Sequence, residues 1–116
     1  MSYIPNFPTP YTSDTLTVYY IDGCPYCNKT RETLQTFTYE GKPLKYALFN
    51  IDHIAEDRQD FWKKIDPYLG NRYFQSRLGS YQPKHKTYPV IFLKGKLIGG
   101  NSDLQDILTS LLVQNS

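Results

Sequence analysis

The sequence predicts an α/β domain with a central four-stranded mixed sheet flanked by helices, in the order β-α-β-α-β-β-α. Three observations predict it. A β-branched and aromatic run at residues 16–21 feeds a glycine turn and then a helix-like pattern. A second apolar run at residues 90–93 is followed by Lys94-Gly95-Lys96 and Leu97-Ile98, the pattern of a β-hairpin. Beyond it, Leu104, Ile107, Leu108, Leu111 and Leu112 form an apolar stripe at helical period.

The elements follow in order. Residues 1–15 carry Pro5, Pro8 and Pro10 and little periodicity, which reads as an extended N-terminal arm with a poorly ordered tip. Its Tyr3, Phe7 and Tyr11 are the residues available to pack on the domain of residues 16–116. Residues 16–21 make the first strand, apolar enough to be buried on both faces. Asp22-Gly23 turns the chain, and Pro25 falls at the first helical position, where its missing N–H has no intrahelical partner to lose. Thr30, Leu34 and Phe37 continue the helical spacing, and Gly41-Lys42-Pro43 stops the helix. Residues 44–51 read as a second strand, parallel to the first through a right-handed crossover.

Residues 52–69 read as one helix with Phe61, Trp62, Ile65 and Leu69 on its buried face and Pro67 ending its regular part near Ile65. The connection at about residues 66–86 is longer than most in compact domains, basic, and bears aromatics at Tyr73, Phe74 and Tyr81. A small extra element or a functional loop fits it; a solvated loop with a few anchoring aromatics explains it better than a nucleic-acid surface. After the hairpin, Ser102 and Gln105 have capping-box spacing, so Ser102 is expected to cap the last helix.

Composition narrows the function. The 116 residues suffice for one core, and a net charge of +2 gives no argument for nucleic acid. No acidic residue lies between Asp66 and Asp103, while Arg72, Arg77, Lys84, Lys86, Lys94 and Lys96 do, so that half presents a positive field to a small anion. No stretch is long and apolar enough to span a membrane, and the first residues lack a signal-peptide core. Two cysteines cannot build a disulfide framework, which makes a reducing, cytoplasmic setting the expectation.

Both cysteines sit in Cys24-Pro25-Tyr26-Cys27, at the strand-to-helix junction. That placement reads as a thiol–disulfide redox site. A helix N-terminus favours negative charge, so Cys24 is the expected nucleophile and Cys27, one turn inward, the resolving thiol. Lys29 and Arg31 add positive charge in directions the sequence leaves open. A metal role is not expected: His53 and His85 lie at spacings from the cysteines that fit no zinc-finger pattern, and their default is a surface or capping role.

Cys24-Pro25-Tyr26-Cys27, Thr87-Tyr88-Pro89-Val90 and Gly99-Gly100-Asn101-Ser102-Asp103-Leu104, in that order, resemble the motifs of a dithiol glutaredoxin. The resemblance runs from about residue 16 to the end of the chain and implies a thioredoxin-like fold. It implies a glutathione-dependent oxidoreductase that reduces protein disulfides and glutathione mixed disulfides, with glutathione as co-substrate. The implied protein partners are disulfide-bearing or glutathionylated, with no nucleic acid, no membrane, and a monomeric state. It implies a cis bond before Pro89, turning the Tyr88 backbone toward the cysteines to pair with bound glutathione. Tyr26, Thr87, Tyr88, Pro89 and Gly100 would line the glutathione site. Ser102 and Asp103 would hold the γ-glutamyl end through helix-terminal N–H groups and a carboxylate.

Two departures stand out. Many members carry Lys or Arg three residues before the first cysteine, and here that residue is Ile21. Another cation is expected to meet the glycyl carboxylate: Lys86 is favoured, with Lys84, His85, Arg58 and Arg72 as the other candidates. The second departure is the long connection at residues 66–86. Two alternatives stay open: a glutathione-independent, thioredoxin-like redoxin, which the Gly99–Asp103 motif disfavours, and an iron–sulfur cluster carrier, which Pro25 disfavours.

Overall fold

The computed structural model describes residues 6–73 and 85–114. Ten elements follow one another: β1 (Leu16–Tyr20), α1 (Pro25–Thr36), β2 (Thr38–Tyr39), β3 (Lys42–Pro43), β4 (Tyr46–Asn50), α2 (Ile51–Ile54), α3 (Arg58–Leu69), β5 (Val90–Leu93), β6 (Lys96–Gly99) and α4 (Asn101–Gln114). The main sheet has the order β4-β1-β5-β6. Strand β1 runs parallel to β4, with Leu16 opposite Tyr46 and Tyr20 opposite Asn50, and antiparallel to β5. The expected hairpin is the antiparallel pair β5–β6.

Alternation along the strands builds two core layers. Leu16 and Val18 of β1, Ile91 of β5 and Ile98 of β6 point to one face and pack with Leu34 of α1 and Leu104 and Leu108 of α4. Tyr19, Val90, Phe92 and Leu97 point to the other, where Ile51, Ala55, Phe61, Ile65 and Leu69 cover them. Strand β1 is therefore buried on both sides, as its continuous apolar character predicts.

Several expectations are corrected. The helix after the cysteines ends at Thr36 rather than at the Gly41 stop, and a two-residue ladder, β2–β3, occupies the chain between them. The residues read as one long helix are two. Asn50 caps α2 by accepting from the Asp52 N–H, Asp57 caps α3 by accepting from the Asp60 N–H, and Ala55 is extended between them. The second strand consequently gives up Ile51 to α2. Pro67 does not end α3, which continues to Leu69, so the proline sits only in its last turn. A further correction concerns Ser102: α4 already starts at Asn101, and Leu104 N–H donates to the Gly100 carbonyl at 3.1 Å, which makes Gly100 the cap residue. Asp103 supplies the reciprocal bond, its Oδ2 accepting the Gly100 N–H at 2.9 Å.

The N-terminal residues 6–15 have no regular structure, yet they are tied down. Phe7 stacks on Tyr19 with centroids 5.8 Å apart and meets Phe61 at 6.0 Å. Tyr19 Oη donates to the Pro8 carbonyl at 2.6 Å, and Tyr11 N–H to Thr17 Oγ1 at 3.0 Å. After α3, Tyr73 N–H donates to Leu97 O at 2.9 Å and Leu97 N–H to Asn71 O at 2.7 Å. The start of the long connection thus pairs with the edge strand β6 and covers it. Tyr3, Phe74, Arg77, Tyr81 and Lys84 lie outside the described residues. Among the described residues no helix is long and apolar enough to cross a membrane.

Candidate active site

Cys24 is the N-cap of α1, in an extended conformation, with Pro25 at the first helical position as expected. Its carbonyl accepts the Asn28 N–H at 3.0 Å, and its Sγ accepts the Cys27 N–H at 3.4 Å. The sulfur therefore stands over the unpaired N–H groups of the helix start, where a negative charge is favoured. Both thiols are free; Cys24 is half-buried, while Cys27 is sealed in the interior. The Cys27 thiol is pushed up to about 12, chiefly by burial, with the hydrogen bond and charge of Cys24 contributing to the rise. The Ile21 N–H and the Arg31 guanidinium oppose that rise.

The second motif arrives from the far end of the chain. The Tyr88–Pro89 bond is cis, as the resemblance implied. The Tyr88 carbonyl accepts from Cys24 Sγ at 3.8 Å. The Tyr88 side chain is held from the other side: Trp62 Nε1 donates to its hydroxyl at 3.0 Å, and the Arg58 guanidinium lies 5.8 Å from its ring centroid. Arg58 also pairs with Asp52 at 3.5 Å.

The third motif closes the groove. Gly99 has φ +127°, and a Cβ there would overlap the Asp103 carboxylate, so glycine is required if that carboxylate is to reach the Gly100 N–H. Tyr26, His85, Thr87, Tyr88, Gly100, Asn101, Ser102 and Asp103 line a groove of about 510 Å³. Tyr26 is 60% exposed, a flat apolar wall beside the cysteines. Pro89 is buried beneath the groove, its carbonyl facing Gly100.

Lys86 stands apart from these. It lines a neighbouring cavity of about 270 Å³ with Trp62, Asp66, Leu69 and His85. Ile21, where the family pattern would place a cation, is half-buried against the Tyr19 core instead.

Several participants lie outside the three motifs or were given no role by them. His85, expected in a surface or capping role, is half-buried: it borders both cavities, and its Nε2 lies 3.2 Å from the Pro89 carbonyl. A carbonyl only accepts, so Nε2 carries the proton in that contact. Asn101 Oδ1 accepts from buried Thr30 Oγ1 at 2.9 Å and from Gln105 Nε2 at 3.4 Å. Gln105 Nε2 also donates to Thr33 Oγ1 at 2.9 Å. This polar seam ties the cysteine helix α1 to α4. Its members are three or four residues apart on each helix, a spacing legible in sequence only once the two helices are known to touch.

This arrangement can exchange thiols and disulfides: an accessible sulfur at a helix start, a second thiol one turn behind it, and a backbone carbonyl alongside. Residues 16–98 match the glutaredoxin family profile. A "Probable glutaredoxin" of Acanthamoeba polyphaga mimivirus is 31% identical over 94 residues, covering 81% of this chain and 77% of that protein. Glutaredoxin-2 of Schizosaccharomyces pombe is 29% identical over 99 residues, covering 85% and 72%. Among solved structures, the dithiolic glutaredoxin 2-C-Grx1 of Trypanosoma brucei brucei superposes with a TM-score of 0.54 at 26% identity, covering 85% of this chain and 87% of that one. Glutaredoxin 1 of Francisella tularensis, complexed with cacodylate, superposes with a TM-score of 0.51 at 19% identity over 84% and 95% of the two chains, a likeness of fold alone. The mixed four-stranded sheet flanked by helices is the thioredoxin-like arrangement. The chain belongs to the glutaredoxin family, and its chemistry is thiol–disulfide oxidoreduction.

Proposed function

We propose that the protein uses glutathione to reduce protein disulfides and glutathione mixed disulfides, with Cys24 and Cys27 as its reacting groups. The observation that carries this reading is the groove beside Cys24. It is lined by Tyr26, by Thr87 and Tyr88, and by the first turn of α4, three motifs distant in sequence, and the carbonyl of its Tyr88 touches the Cys24 sulfur at 3.8 Å. A γ-glutamyl tripeptide is an extended, zwitterionic ligand of matching polarity. Its cysteinyl backbone pairs with Tyr88, as a strand adds to an edge. Its γ-glutamyl carboxylate meets the N–H groups around Gly100, Asn101 and Ser102, and its ammonium meets Asp103. Tyr26 and Thr87 form the walls. For the glycyl carboxylate, two cations among the described residues stand on the Tyr88 side: Arg58, above its ring, and Lys86 in the adjoining cavity.

The reaction begins with the Cys24 thiolate attacking a disulfide sulfur. A mixed disulfide with Cys24 forms and one thiolate leaves. Either an external thiol or Cys27 then attacks Cys24 Sγ and releases the second partner. The helix start stabilises the attacking charge, and the Tyr88 carbonyl fixes the approach of the incoming peptide.

Turnover of a glutathionylated small disulfide, coupled to glutathione, glutathione reductase and NADPH, tests the reading. Steady NADPH oxidation that depends on both the protein and glutathione is expected. Reduction of the protein by a thioredoxin reductase but not by glutathione would overturn glutathione dependence while leaving the family assignment intact. Lys86→Ala and Arg58→Ala are each expected to raise the apparent KM for the glutathionylated substrate more than they lower kcat; an unchanged KM in both would remove those cations from the site.

A further inference from the structure

Tyr88 is held at both of its ends. Its carbonyl faces the Cys24 sulfur at 3.8 Å, and its hydroxyl accepts the Trp62 Nε1–H at 3.0 Å. The Trp62 and Tyr88 rings lie 5.5 Å apart. Trp62 is itself seated on the core, its ring meeting the fully buried Phe61 edge-on at 5.2 Å. Arg58 stands one turn before Trp62 on α3, hence on the same face, and its guanidinium lies 5.8 Å from the Tyr88 ring centroid.

The backbone around Tyr88 has little else to fix it. Residues 85–89 belong to no helix or strand, and the ladder of β5 begins only at Val90. Pro89 has no N–H with which to extend that ladder. Where the Tyr88 backbone sits therefore depends on what holds its side chain.

Two ties from the α2–α3 layer reach the cysteine turn. One is direct, from Trp62 through Tyr88 to the Cys24 sulfur. The other runs round through Arg58, which pairs with Asp52 at 3.5 Å. The Asp52 N–H donates to Asn50 Oδ1 at 2.9 Å, and the Asn50 amide donates to Asp22 Oδ2 at 3.1 Å, two residues before Cys24. The second tie is the weaker. The Arg58–Asp52 pair is about half exposed on both sides, and an ion pair open to water holds little. The Trp62–Tyr88 bond is partly buried, so breaking it leaves a donor and an acceptor unpaired.

We propose that Trp62 is a positioning residue: its indole N–H, bonded to the Tyr88 hydroxyl, holds the Tyr88 backbone beside the Cys24 sulfur and so makes the protein prefer disulfides that carry a peptide backbone. The inference rests on the pairing of Tyr88 with a substrate backbone proposed above, and not on glutathione as the partner. Trp62 acts at a distance from the reacting sulfurs. It fixes the angle at which a peptide meets the edge that Tyr88 offers, and a small displacement there costs rate.

The test uses the full-length reduced protein and two symmetrical disulfides, with no glutathione present. One is the disulfide of acetyl-Gly-Cys-Gly-amide, which has a peptide backbone and no γ-glutamyl end. The other is bis(hydroxyethyl) disulfide, which has no backbone to pair. With either, the Cys24 thiolate attacks and one partner thiolate leaves. Cys27 then displaces the second partner as the Cys24–Cys27 disulfide forms. The protein dithiol is oxidised and the small disulfide is reduced to two thiols. The readout is the ratio of the two second-order rate constants, peptide over hydroxyethyl, divided by the same ratio for dithiothreitol, which cancels the disulfides' own reactivity.

For the unmodified protein this ratio is expected to lie well above one. In Trp62→Phe, which keeps a ring and loses the N–H, it falls by about fivefold, the order of what one neutral hydrogen bond holds. Tyr88→Phe removes the acceptor and leaves the backbone, and it brings about the same fall. The double variant falls no further, because all three lack the same bond. A smaller fraction of active protein slows both disulfides alike and leaves the ratio in place.

An unchanged ratio in Trp62→Phe would overturn the proposal. So would effects of the two substitutions that multiply in the double variant. A ratio of one in the unmodified protein would instead remove the Tyr88 pairing, and the role of Trp62 with it, while leaving the thiol–disulfide chemistry intact.

Discussion

The Cys24 sulfur and the Tyr88 carbonyl meet at 3.8 Å although 64 residues separate them in the chain. The contact joins the strand-to-helix turn of β1 and α1 to the turn that enters β5. The carbonyl accepts from the thiol; it cannot donate to a thiolate. The Cys27 N–H at 3.4 Å and the helix start remain to hold the charge once the proton is lost.

Cys24→Ser is expected to abolish both activities, because the remaining sulfur, Cys27, is buried. Cys27→Ser is expected to lose reduction of protein disulfides by the dithiol route and to keep removal of glutathione from mixed disulfides. Assays on an oxidised protein and on a glutathionylated peptide separate the two. Residual turnover without Cys24 would contradict the assignment.

Alkylation of the reduced protein at neutral pH is expected to add a single iodoacetamide label, on Cys24. Cys27 is fully buried and its thiol is pushed up to about 12. The same shift has a stability consequence. The unfolded chain ionises this thiol near the ordinary ~8.5 and the native chain does not. The stabilisation is complete below the unfolded value and is lost as pH rises toward about 12. Denaturation midpoints should therefore fall with pH above the ordinary thiol range, and fall less steeply in Cys27→Ala. Tyr19, also raised by burial and by the Tyr68 and Tyr11 phenols, adds to the alkaline loss in both proteins.

Phe7→Ala is expected to cost about 1–3 kcal/mol of stability, less than a fully buried Phe because the ring is half-exposed. It removes the stacks on Tyr19 and Phe61 at 5.8 and 6.0 Å. Urea unfolding measures the loss. The rate of Cys24 alkylation should not change, since these rings lie in the α2–α3 layer and touch neither cysteine.

Gly99→Ala is expected to destabilise the protein by about 1–3 kcal/mol, the usual cost of a strained backbone position. At φ +127° the new methyl would collide with the Asp103 carboxylate. That carboxylate would leave the Gly100 N–H, so the KM for a glutathionylated substrate should rise more than kcat falls. Isothermal unfolding and steady-state kinetics together check both effects.

Thr30→Val is expected to cost about 1–2 kcal/mol by removing the buried hydroxyl that donates to Asn101. Because that bond fixes α4 against α1, the KM should again move more than kcat. Unchanged kinetics with reduced stability would make the seam a packing device only.

Much of this protein could be read from residue order. Strand β1, the β5–β6 hairpin, the leucine stripe of α4 and Pro25 opening α1 are local patterns, and period and turn chemistry act within a few residues. The cis bond before Pro89 followed from the family resemblance. Sequence was silent where a decision rested on contacts between distant segments. Two-residue strands such as β2 and β3 are too short to show a period, and the break between α2 and α3 needed Asp57 to be recognised as a cap. His85 looked like a surface residue until Pro89 and Gly100 were set beside it. The direction of Arg31, whose guanidinium lies 4.9 Å from the Tyr20 ring, depended on where Tyr20 ends β1. Local patterns select elements because their energetics are short-range; the groove and the fate of each charge are settled by which elements the two core layers press together, a long-range outcome that no single stretch encodes.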